Sequence, residues 1–401
     1  MQHALVAHIT RPRLGTQLIA NDDAESLRRA ISDHLGCPPE HIVVSATHTH
    51  SGPSTRAVFG QEKNQEYLPV LLAGAREAAA RAHESMTECA LSFQSGQCDG
   101  VAFNRRWLMA DGGVQTHPLK NDPLMLSPEG PDSTALHVLA ATRSHGDTPI
   151  GAAVFFGCHA TVMPRESQLI SADFPGRVRE SLVAKWDAQS AASGPADASG
   201  ADASGAAEIC QPCVLYLQTA CGNICQCDPT NGCACEVGIA HCKMMGEAIG
   251  TAAHELLEAA SMPTSGQLRV ATEILQLPRR VLPPELLGWA ERHKDDTELP
   301  PPTLSDYGTE PAGSDALSLE ALFHTPWFSR FYARELLTLR DDGAAEPLLP
   351  FYIAVVCQGT DWAVVNLPCE LFIEHQEAIV SRSGRFRSVA VWAGRRFPEI
   401  F

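Results

Sequence analysis

A chain of 401 residues, 44% hydrophobic and 19% charged, has the composition of a globular protein long enough for two or three domains. Its formal net charge of −17 argues against a nucleic-acid partner, which needs a basic patch, and against charge-driven docking on anionic lipid. No apolar run approaches the roughly 18–20 residues that span a bilayer, so no transmembrane segment is expected.

In chain order, Ala4-Leu5-Val6-Ala7-His8-Ile9 reads as an interior strand. No charged n-region with a long apolar stretch precedes it, so no signal peptide is visible. Cytoplasmic placement is the default expectation, with an N-terminus that looks truncated. Asp22 to Leu35 predicts a helix, capped by Asn21-Asp22-Asp23 and stopped at Gly36. A strand over His41–Thr47 precedes an Ala/Leu-rich helix over Tyr67–Glu84. Strands follow at Ile150–Gly157 and Cys213–Thr219, then a glycine-interrupted helix over Glu236–Ala260. Runs at Leu268–Leu275, Phe351–Cys357 and Trp362–Leu367 read as strands, Leu371 to about Ser381 as a helix, and Arg387–Trp392 as a last strand. The apolar runs are continuous, as in strands covered on both faces. This alternation predicts an α/β fold: a mixed sheet with flanking helices, the active site at strand C-terminal ends, and long irregular insertions. Residues 1–401 are expected to form a single domain. Ala188–Ala207 reads as a disordered low-complexity insertion, and Pro283–Ser318 as a long Pro-rich loop with at most a short helix.

Chemistry concentrates where strands end. In Ser45-Ala46-Thr47-His48-Thr49-His50-Ser51-Gly52-Pro53, two imidazoles stand two residues apart, which in a strand places both on one face. Such a pair suits a metal ligand beside a proton-transfer group; the bland alternative is a polar strand exit facing solvent. His159 terminates the run Phe155-Phe156-Gly157-Cys158-His159, and by itself would pass for an ordinary core or loop histidine. Asp173, two residues before Pro175, reads as a helix cap ahead of a catalytic group. Glu370 follows a strand and Pro368; it either projects beyond the sheet or merely complements a helix dipole, worth ~0.3–1 kcal/mol. Fourteen cysteines are present, eight of them between Cys210 and Cys242. Their spacing matches no usual zinc-ribbon or ferredoxin pattern and leaves a metal clip, local disulfides or simple Cys-rich drift open.

The nine residues from Ser45 to Pro53 resemble the signature of the neutral/alkaline ceramidase family, zinc-dependent amidases that cleave the N-acyl bond of ceramide. The runs around His159, Ile170–Gly176, Gln218–Cys225 and Pro368–Leu371 extend the similarity in the same order, from about Leu5 to Val380. The resemblance implies that His48, His159 and Glu370 hold Zn2+. It implies His50 as proton carrier and Arg105, of the Asn104-Arg105 pair, as a group steadying an oxyanion. Cys225 stands where ceramidases proper have a Ser, as a nucleophile, a soft ligand or neither. The implied substrate is a lipid amide, cleaved to a fatty acid and an amino alcohol. Three departures accompany the match. The N-terminal strand and loop of the family look absent. No Tyr follows Tyr352 to match the family's last zinc ligand, and no room is left for an immunoglobulin-like C-terminal domain. The competing expectation is therefore a relative that binds metal or thiols without turnover, or a hydrolase using Cys225 alone. Oligomeric state is not legible.

Overall fold

The computed structural model describes residues 5–9, 21–55, 63–143, 149–164, 167, 169–192, 212–231, 237–259, 264–296 and 326–393. The first half contains β1 (Leu5–Ile9), α1 (Asn21–Leu35), β2 (Ile42–Ala46), α2 (Tyr67–Glu84), β3 (Cys89–Gln97), β4 (Phe103–Asn104), β5 (Arg106–Met109), β6 (Val114–Thr116) and β7 (Met125–Pro128). Then come β8 (Ala135–Arg143), β9 (Pro149–Phe156), α3 (Asp173–Ala192), β10 (Cys213–Gln218), β11 (Ile224–Cys225) and α4 (Ile239–Glu258). The remainder is β12 (Leu268–Pro278), α5 (Pro284–His293), α6 (Pro326–Ala345), β13 (Leu348–Gln358), β14 (Trp362–Leu367), α7 (Ile373–Arg382) and β15 (Ser388–Ala393).

Two mixed four-stranded sheets dominate, ordered β10-β9-β8-β3 and β12-β13-β14-β15. Period-two alternation explains why their apolar runs look continuous. On β9 and β10, Val154, Phe156, Val214 and Tyr216 pack under α3 and α4, with Phe174, Val178, Leu182, Met245 and Ile249. Their neighbours Phe155 and Leu217 face the other way, against Trp362, Val364, Ala390 and Trp392 of the second sheet. Phe93 stacks on Trp362 at 5.5 Å between ring centroids. The far face of the second sheet buries Phe351, Leu367 and Val391 against Ile379 of α7. The result is helix, sheet, sheet, helix in four layers. The mixed α/β expectation holds, distributed over several sheets where one was expected.

The glycines of α4 have a packing role. A Cβ on Gly246 would lie 2.2 Å from Arg177 Cβ, so the helix can approach α3 only without a side chain there.

Several boundaries differ from those expected. Helix α3 runs to Ala192, five residues into the stretch from Ala188 read as disordered, because its Ala-rich sequence is a good helix former; residues 193–207 lie outside the described residues. Within 283–318, residues 284–293 form α5, which buries Ala290 in a cluster with Leu336 of α6; residues 297–318 lie outside the described residues. Among the described cysteines no disulfide occurs.

Asp173 is the first residue of α3, at φ 57°, with its carboxylate 2% exposed. It accepts the N–H groups of Met163 at 2.8 Å and Phe174 at 2.7 Å, tying the loop after β9 to the helix start. These two bonds fasten the loop to the helix without reaching the N2 or N3 amides that a cap would take. Burial pushes its pKa up to about 6, against the opposing pull of those N–H groups. A raised folded-state value means that the native state binds the extra proton. The stability this contributes is present below an ordinary aspartate's ~3.9 and is lost as pH rises to about 6. Denaturant titrations from pH 4 to 7 should show this decline, and Asp173→Asn should flatten it; an unchanged slope in the variant would contradict the assignment.

Candidate metal centre

Strand β2 ends at Ala46, before the histidines. His48 lies at φ 65°, outside strand geometry, so the expectation that strand alternation pairs His48 with His50 is incorrect. A left-handed residue turns the chain instead, and the two rings still meet, with Nε2 atoms 3.4 Å apart and centroids at 4.7 Å. The turn is held from outside. His50 N–H donates to Ala160 O at 3.2 Å, and Thr49 Oγ1 donates to Ser171 O at 2.8 Å. His48 is buried and His50 exposed.

His159, also buried, comes three residues after the end of β9, an interior strand of its sheet. Its Nδ1 sits 2.5 Å from Cys221 O and 3.0 Å from Ile224 O. Carbonyls only accept, so Nδ1 carries the proton and Nε2 presents its lone pair. That Nε2 lies 2.6 Å from Glu370 Oε1, and the same oxygen lies 3.0 Å from His48 Nε2. Burial and the Arg105 guanidinium oppose a second proton on His159, but Cys221 and Glu370 outweigh them and raise its pKa.

These separations test whether an ion fits. Donors about 2.0–2.1 Å from a tetrahedral ion stand roughly 3.3 Å from one another. Among the three proposed ligands, Glu370 Oε1 stands 2.6 Å from His159 Nε2 and 3.0 Å from His48 Nε2, both closer than that spacing, so an ion would spread the donors. His50, 3.4 Å from His48, stands beside the set. The donor set, imidazole nitrogens plus a carboxylate, suits a zinc-like divalent ion with a position left for water. Two overlapping sets, His48-His50-His159 and His159-Cys221-Glu370, each have donor atoms within 4.8 Å of one another.

Glu370 reaches the cluster because the turn after β14 is pinned to residues 219–225. Gly222 N–H donates to Leu371 O at 2.8 Å, and a Cβ on Gly222 would lie 2.5 Å from Glu370 O. Asn223, fully buried, accepts the Ile373 N–H at 2.9 Å and donates to Glu374 at 3.0 Å, fixing the start of α7.

Arg105 and Cys225 border this cluster without joining it. Arg105 Nη2 donates to Gly222 O at 2.6 Å and Nη1 lies 3.4 Å from His117 Nε2, while its buried Nε has no hydrogen-bond partner among the described residues. Cys225 Sγ lies 4.0 Å from His117 Nδ1. Hydrogen bonding from Cys227, and then His117, holds the Cys225 thiol well below its usual pKa despite burial. Arg105, His117, Lys120, Cys225 and Cys227 line one small cleft. The described cysteines of the Cys-rich segment do not converge on one point. Cys242 packs in α4 with its Sγ 3.7 Å from Asp173 Oδ1, Cys221 stands beside His159, and Cys233 and Cys235 lie outside the described residues. The sequence reasoning missed His117, Gly222, Asn223 and Cys221 as parts of the site. The last three lie in the Gln218–Cys225 run that carried the similarity, whereas His117 follows a short irregular strand with no motif around it.

A family model for the N-terminal part of neutral/alkaline non-lysosomal ceramidases matches residues 37–285. The fold resembles that of the neutral ceramidase from Pseudomonas aeruginosa, with TM-score 0.56 and 17% identity over 94% of this chain and 57% of that one. It also resembles a ceramidase complexed with C2, with TM-score 0.59 and 16% identity over 94% of this chain and 58% of that one. The chain thus spans less than three-fifths of the length of these structures. No curated protein shows significant sequence similarity. No described helix is long and apolar enough to cross a membrane.

The close approach at Gly222 yields a direct check. Gly222→Ala should push the 370–372 turn outward and weaken divalent-metal binding about 10–100-fold, the scale seen when groups supporting ligands are lost. Metal titration by calorimetry measures it; unaltered affinity would show that the turn is placed by other contacts.

Proposed function

The chain belongs to the neutral/alkaline non-lysosomal ceramidase family, and from that premise we propose that it is a zinc-dependent hydrolase of a linear lipid amide. A ceramide-like substrate would give a fatty acid and a long-chain amino alcohol. The observation that carries the reading is the meeting of His48, His159 and Glu370, donors from three strand ends far apart in sequence, within 3.0 Å of a shared carboxylate oxygen. When bound there, a divalent ion supplies Lewis-acid chemistry, making water acidic near neutral pH and polarising a carbonyl.

The protein's own groups supply the rest. His159 is held in one tautomer by two carbonyls, so its Nε2 stays available. His50, exposed and adjacent to His48, takes the proton from the attacking water and returns it to the leaving nitrogen. Arg105 lies near enough to His159 to disfavour extra positive charge there and steadies the developing oxyanion.

Chelation should abolish hydrolysis of a fluorogenic N-acyl amine, and zinc should restore it. His48→Ala and His159→Ala should each lose both metal and turnover. His50→Ala should keep the metal and lose roughly 10²–10⁴-fold in rate, the usual yield of a positioned proton-transfer group. Turnover that survives complete metal removal would end the proposal. The lowered pKa of Cys225 favours a second reading, a thiol-dependent hydrolase, and activity untouched in Cys225→Ala removes it. Stoichiometric metal with no turnover on any N-acyl amine would instead favour a relative that kept the fold and the ion alone.

A further inference from the structure

We infer that Cys221 is a sulfur ligand of the ion held by His159 and Glu370, in a five-coordinate shell that still admits water, so that the centre binds thiophilic divalent metals through mixed nitrogen, oxygen and sulfur donors. This rests on the reading that the cluster binds a divalent ion. The donor atoms of His159, Cys221 and Glu370 lie within 4.8 Å of one another, and Cys221 is fully buried. Two contacts of the same short loop fix its place. The Cys221 carbonyl accepts the Nδ1 proton of His159 at 2.5 Å. The next residue, Gly222, is locked to the Glu370 turn through the 2.8 Å bond to Leu371 O. The thiol is therefore carried on the backbone that positions both neighbouring donors.

The donor types point the same way: a carboxylate oxygen and a thiolate sulfur, once both are bound, neutralise the two charges of a divalent cation. On binding, the Sγ–H bond breaks, the Sγ–metal bond forms, and the proton leaves to solvent. Sulfur ligation would favour zinc, cobalt and cadmium over magnesium, calcium and manganese.

The test is cobalt and zinc loading of the full chain. Zinc-loaded wild type should show one sulfur scatterer at about 2.3 Å by X-ray absorption. The cobalt form should show a sulfur-to-cobalt charge-transfer band in the near ultraviolet. Cys221→Ser should lose that band and weaken cobalt binding about 10–100-fold, while Cys225→Ser and Cys227→Ser keep it. An undiminished band in Cys221→Ser, or a zinc shell without sulfur in the wild type, overturns the inference while leaving the ion site intact. Absence of any ion that His48→Ala and His159→Ala release overturns the proposed function as well.

Discussion

The segment from Thr219 to Cys225 is the junction on which the site depends. Its carbonyls orient His159 and accept from Arg105, its glycine admits the Glu370 turn, and its asparagine anchors α7. Ala220 N–H adds a 3.0 Å bond to Gln376 of the same helix. Each neutral hydrogen bond contributes only about 1 kcal/mol. Their weight lies in geometry, because a displacement here moves an imidazole, a guanidinium and a carboxylate together.

That coordination explains how a charged cluster persists at low exposure. His48 and His159 are 2% and 3% exposed, beside a carboxylate. Unpaired buried charge is costly, and removing one partner of such a group typically costs about 3–5 kcal/mol. With the His159 proton on Nδ1, its Nε2 and the Glu370 oxygen 2.6 Å away are both lone-pair donors, and a cation between them would satisfy both. The surrounding layers supply rigidity, with Phe155 and Phe156 fully buried on opposite faces of β9, the strand that precedes His159.

Parts of this were legible from residue order. The helix at Tyr67–Glu84 and the strand at Trp362–Leu367 match their expected bounds, because both have unbroken apolar patterning between turn signals. Strand β8 escaped notice because its buried Leu136, Val138 and Ala140 alternate with His137 and other half-buried residues, and β3 is interrupted by Ser and Gln. His48, His159 and Glu370 stood out because each follows an apolar run. The means by which they meet did not. A positive φ at His48, carbonyl acceptors at Cys221 and Ile224, and a missing side chain at Gly222 are backbone facts with no signature of their own. Arg105 and Cys225 lie beside the cluster, and their common partner His117 comes from an unremarkable turn.

The donors belong to separate structural layers, His159 to the sheet covered by α3 and α4 and Glu370 to the one covered by α7. An ion joining them would act as a rivet between layers. Occupancy would then set resistance to unfolding, adding about 4 kcal/mol at a thousandfold excess over the dissociation constant. Metal supply, as much as temperature, would determine how long such a molecule survives in its surroundings.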